Sequence, residues 1–131
     1  MLGRTLRRQG EDDPAPHGAR SLILTSLGTY RYLGDVGGVA ESLEGLSACD
    51  AADGKVERAA CIAAAAEAIR ERLATRPLPF DRAFTDRYVS RARFSADDDV
   101  WRTATEKGRA MTLDQAVEYC LAQGDKERGA P

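Results

Sequence analysis

From Ala19 onward, apolar residues recur at intervals of three and four, the period of helices buried along one face. Leu22, Ile23, Leu27, Tyr30 and Leu33 mark a first helix. Gly34 supplies its stop, and Asp35 can cap a second. In that second helix Val36, Val39, Ala40, Leu43, Leu46 and Ser47 share a face, while Glu41 and Glu44 point away. It should end near Asp53-Gly54. A third helix, from about Lys55 to Ala74, carries Ala59, Ile62, Ala63, Ala66, Ile69 and Leu73 on one inner stripe. Pro77 and Pro79 then force a break.

The second half has the same period with different side chains. Phe80, Ala83, Phe84, Tyr88 and Ala92 predict an aromatic helix face running to about Arg93. Ser95 with Asp98 forms a candidate capping box for a fifth helix lined by Val100, Trp101, Ala104 and Gly108. Thr112 with Gln115 opens a sixth, with Leu113, Ala116, Val117, Cys120 and Leu121 on one face and Gly124 as its stop. Residues 1–18 are arginine-rich, then acidic, then proline-containing, and predict a disordered leader. The helical domain spans 19–123, and 124–131 is a charged tail. Six helices joined by short turns make an all-α antiparallel helical array. Its second and third helices form a hairpin of the tetratricopeptide kind, followed by three C-terminal helices.

Composition sharpens this picture. Leu, Ile, Val and Phe total only 24 of 131 residues, but 19 basic and 21 acidic residues nearly cancel, so the charge excess typical of disorder is absent. Twenty-two alanines take the place of large aliphatics, which favours helix and effectively excludes an all-β fold. No apolar run reaches the ~20 residues of a membrane span, and Met1 to Arg20 has no secretory h-region. Cys49, Cys61 and Cys120 form no C-x-x-C pair and suit a reducing, cytoplasmic setting, packed as small hydrophobes.

Candidate chemistry is sparse. The one histidine, His17, lies between Pro16 and Gly18 in the leader, which argues against histidine-based catalysis or a zinc site. No phosphate loop or dinucleotide fingerprint is present, and Gly37-Gly38 reads as a close crossing at a helix start. Asp97-Asp98-Asp99 reads as helix-start acids rather than a magnesium site, since consecutive helical residues diverge. Asp81 and Asp86 near Arg82 and Arg87 read as exposed pairs. No enzyme activity and no cofactor are expected.

The run from Leu33 to Leu73, "LGDVGGVAESLEGLSACDAADGKVERAACIAAAAEAIRERL", resembles the last helical-repeat hairpin of large bacterial ATPase transcriptional regulators of the LuxR and AfsR type. The continuation from Pro77, and most specifically Trp101 to Leu121 with its Gly108-Arg109-Ala110-Met111-Thr112-Leu113 junction, resembles the end of their repeat region. The resemblance covers about Leu22 to Gln123 and implies a scaffold. The ATP and DNA activities of such regulators do not carry over, because this chain has neither the phosphate loop nor a recognition helix after Gln123. Lys55 stands where such hairpins commonly have an aspartate cap, which implies a looser turn.

The leading expectation is a non-enzymatic interaction module that binds a protein or peptide, or a second copy of itself. Its candidate interface is Leu22, Leu24, Leu27 and Tyr30, the surface a preceding repeat would cover. A rival is a small-molecule sensor whose ligand is lined by Phe80, Phe84, Tyr88 and Trp101, although a plain aromatic core explains them too. A third is a nucleic-acid binder using Arg70, Arg72, Arg76, Arg82, Arg87, Arg91 and Arg93. Sixteen of the nineteen cations are arginine, so that local excess is partly compositional and nucleic acid is not the favoured partner.

Overall fold

The computed structural model describes residues 19–76 and 79–129. Among them stand six α-helices and no strand, so the chain is all-α. They are α1 (Arg20–Leu33), α2 (Val36–Ala52), α3 (Val56–Leu73), α4 (Pro79–Ser95), α5 (Asp98–Ala110) and α6 (Leu113–Gly129). None of them is long and apolar enough to cross a membrane. The leader expected over residues 1–18 lies outside the described residues.

Local chemistry explains most helix ends. Asp35 Oδ1 accepts the Gly38 N–H at 2.9 Å and starts α2. Gly34 and Gly54 end α1 and the α2–α3 turn with φ of 74° and 80°, a left-handed backbone that glycine adopts without strain. Thr112 and Gln115 exchange reciprocal hydrogen bonds of 2.9 and 3.1 Å, a complete capping box for α6. Lys55 provides no side-chain cap for α3.

Two expected ends move. Asp97, not Ser95, caps α5: its Oδ2 accepts the N–H groups of Asp99 and Val100, while the Ser95 hydroxyl bonds back to Ala92 within α4. A carboxylate at the helix start outcompetes a hydroxyl two residues earlier because it also meets the positive helix end. Gly124 does not stop α6, which runs on to Gly129. One interior glycine costs a helix only ~1 kcal/mol, and Lys126, Glu127 and Arg128 beyond it are good helix formers.

The α2–α3 hairpin is the centre of the molecule. α1 packs on α2, α4 lies against α2 and α3, α5 crosses α3, and α6 returns to touch α1, α2 and α3. Because they have neighbours on several sides, α2 and α3 are buried almost all round rather than along the single stripes predicted. In α3, Ala60, Cys61, Ala64, Ala65 and Ala68 are buried as well as Ala59, Ile62, Ala66 and Ile69, whereas Leu73 is exposed. Methyl side chains let flanking helices come close. The closest crossing is at Gly108 of α5, where an added Cβ would overlap the Cys61 carbonyl oxygen of α3. At Gly38 an added Cβ would overlap the Tyr30 ring, so the expected close crossing there is made by a side chain.

Asp50 is the most deeply buried charge. Its side chain is fully enclosed, with Arg20 Nη1 at 3.0 Å and Arg58 Nε at 3.4 Å, and Arg20 also reaches Asp53 at 2.8 Å. These are ion pairs whose alignment at Asp50 falls short of regular hydrogen bonds. Burial pushes the Asp50 carboxyl above its ordinary range more strongly than Arg58 and Arg20 pull it down. The same contact holds Arg20 more firmly charged. The two directions agree physically: the enclosed acid bears the desolvation, and the more exposed arginine gains the partner. The cluster ties α1, α2 and α3 together.

All three cysteines are buried and form no disulfide. Burial pushes the thiol of Cys49 up to about 11 and that of Cys120 up to about 12, and raises Cys61 as well. In the unfolded chain these thiols ionise near 9.0. A group whose folded value is raised lends stability that is intact below the unfolded value and lost as pH climbs. Stability is therefore expected to fall from about pH 9, and Cys120→Ala to flatten that fall in a series of urea melts. Thiol-directed reagents at pH 8 should label the native protein only as fast as it opens.

Candidate functional site

A groove of about 450 Å³ opens along α3, between α4 and α5. Ala63 of α3 lies half-buried on its floor, with the buried Ala60 and Ala64 on either side and Val89 of α4 and Trp101 of α5 beside it. These alanines, followed by Glu67 and Glu71, repeat at helical spacing and so share one face. At one end Glu44 of α2 and Arg70 of α3 form a two-point ion pair of 2.8 and 2.9 Å, with both side chains near 14 % exposed. Glu44 thus turns inward, against expectation, because Arg70 offers a planar partner that satisfies both its oxygens.

The rim is charged with both signs. Arg109 of α5 bridges Glu67 at 3.0 Å and Glu71 at 2.6 Å, clamping the end of α5 to α3. Arg82 meets Asp86 one turn along α4 at 3.3 Å, and Arg76 stands in the α3–α4 connection. No group of three His, Cys, Asp or Glu residues that could hold a metal ion occurs among the described residues.

The residues predicted as sites separate. Of the expected interface, Leu27 is fully buried and Leu24 is 9 % exposed; both face the core, and Tyr30 lies half-buried over Gly38. Only Leu22 is turned outward. The reason is that α1 packs this face chiefly on α2, while α6 returns beside it with Arg31 reaching Glu118 at 2.9 Å and Asp114 at 3.8 Å.

The aromatic set does not surround one cavity. Tyr88 is buried and meets Phe84 edge to face, with ring centres 5.3 Å apart. Phe84 lines a second depression with Ile23, Tyr30 and Gly45, and Trp101 lines both the groove along α3 and a further depression with Arg93, Asp98 and Arg102. The Phe80 side chain lies outside the described residues. Of the seven clustered arginines, Arg70, Arg76 and Arg82 line the groove, and Arg93 pairs with Asp98.

Comparison of the chain with protein-family models, curated proteins and solved structures finds no match. Its chemistry must be read from its own residues. Sequence reasoning passed over Asp50 and Arg58 and turned Glu44 outward, although Asp50 follows Leu43, Leu46 and Ser47 at helical spacing. An acid on an apolar face was the available signal.

Proposed function

We propose that the chain is a non-enzymatic helical interaction module that holds a short segment of a partner protein in the groove along α3. The observation that carries this reading is the groove itself: an open channel with a methyl floor, one tryptophan wall and rim charges of both signs. The Ala63 methyl and the half-buried Trp101 ring offer apolar contact, and a mixed rim suits the alternating polar groups of a peptide. The scattering of the aromatics favours a peptide over an enclosed small molecule. The sequence resemblance to the sensor repeats of LuxR- and AfsR-type regulators suggests a role in bacterial transcriptional regulation, and the buried unoxidised thiols suit the cytoplasm.

Trp101, the one tryptophan, lines both the groove and the depression at Arg93 and Arg102, so its emission senses either, and Ala63→Glu assigns a shift to the groove. Peptides selected from a random library on the full chain are expected to shift Trp101 emission with micromolar affinity. Ala63→Glu should weaken them at least tenfold while the helical circular dichroism is retained. Selected peptides that leave Trp101 emission unchanged and bind Ala63→Glu as tightly would overturn the reading.

A further inference from the structure

Among the described residues, the outward face of α1 gathers three of the exposed large apolar side chains. Leu22, Thr25, Thr29 and Tyr32 follow one another at intervals of three, four and three, the spacing of a seam between paired helices. Leu33 extends the seam at one end. Leu22, Tyr32 and Leu33 are 71 %, 88 % and 67 % exposed. The face carries no charge at all. The two charges of α1, Arg20 and Arg31, turn the other way, to Asp50 and Asp53 and to Asp114 and Glu118. By contrast Arg82 and Arg87 are exposed on α4, Arg102 and Glu106 on α5, and Asp114 and Glu118 on α6.

The polar atoms within the seam are already used. Thr25 Oγ1 donates to the Ser21 carbonyl and Thr29 Oγ1 to the Thr25 carbonyl, each at 3.1 Å. With their hydroxyls bonded to their own helix, both threonines need no outside polar partner and add methyl groups to the seam. An apolar strip on a chain that is 31 % charged marks an interface.

The order of sizes along the strip says what covers it. Large Leu22, small Thr25, small Thr29 and large Tyr32 read the same in both directions. We propose that a second copy of this chain packs on the strip, antiparallel, about a two-fold axis crossing between Thr25 and Thr29. Leu22 then meets Tyr32 of the partner subunit, and Thr25 meets Thr29 of the partner subunit. A two-fold contact sets a surface against itself, so any charge near its axis would face its own like; this strip has none. A helix of this length runs ~21 Å, and two such faces bury on the order of 800 Å², less than a stable dimer needs and in the range of weak, transient contacts. The dimer is therefore weak and reversible, and association is sought at roughly 10–100 μM chain.

Sedimentation of the full chain across that concentration range is expected to show a reversible monomer–dimer equilibrium. Thr25→Glu, at an exposed site, should weaken it more than tenfold with unchanged circular dichroism. For the register, chains carrying Thr25→Cys and chains carrying Thr29→Cys are mixed and oxidised. The mixed cross-link should form well ahead of either self-cross-link, and the native thiols are buried and do not compete. A chain that stays monomeric throughout overturns the proposal, whether residues 1–18 or another protein cover the strip. So does a Thr25→Glu variant that associates like the wild type. Dominant Thr25→Cys self-cross-links would overturn the antiparallel arrangement.

Discussion

Gly108→Ala is expected to lower the stability by about 3 kcal/mol, against the ordinary rule for helices. In the interior of a helix, exchanging glycine for alanine gains up to ~1 kcal/mol. At Gly108 the added methyl overlaps the backbone carbonyl oxygen of Cys61, which is fixed in the middle of α3 and cannot turn aside as a side chain would. α5 must lift from α3, and the clamp of Arg109 on Glu67 and Glu71 opens with it. A thermal midpoint lower by about 10 °C is the matching observation. Gly28→Ala is the control. It lies within α1 with nothing within 4 Å of the new methyl, and a gain of roughly 0.5–1 kcal/mol is expected. Equal effects at the two glycines would show that α5 and α3 do not approach as described.

A second large loss is expected at Asp50. Asp50→Ala removes the counter-charge of Arg58 and Arg20, whose side chains are only 17 % and 16 % exposed, and should cost about 3 kcal/mol. Arg20 keeps Asp53, which holds the loss to the lower end of the usual range. The raised carboxyl indicates that the charged acid itself sits there at a cost, so the intact pair adds little net stability even though leaving one half alone is costly. Replacing both, Asp50→Leu with Arg58→Met, should therefore return the stability to within about 1 kcal/mol of the wild type. Urea unfolding of the two singles and the double gives the coupling directly. A double variant that loses as much as the two singles combined would show that Asp50 and Arg58 act independently and that an unpaired buried charge is not what the singles cost.

The helices were legible because their periods, caps and glycine stops are local. Asp35, Gly34 and the Thr112–Gln115 box each act within four residues, and each stands where the sequence places it. What the sequence hid was which face of each helix turns inward once others arrive. The α1 residues Leu22 and Leu24 are equally apolar, yet one is exposed and the other buried, because α2 and α6 approach from the side of Leu24. The groove was illegible for a related reason. Its floor consists of alanines, which look the same whether they face a ligand or a neighbouring helix. Glu44 and Arg70 stand 26 residues apart, and no local rule pairs them.

The methyl-rich packing of α3 also limits how the protein responds to anything that binds it. A leucine core absorbs a small push by changing rotamers, but a buried alanine has no rotamer to change. It also loses no side-chain entropy on burial, so nothing is released when it is disturbed. Pressure applied on the Ala60–Ala64 face is therefore not soaked up locally. What stands behind that face is backbone: the Cys61 carbonyl already lies against Gly108, with no side chain between them to give way.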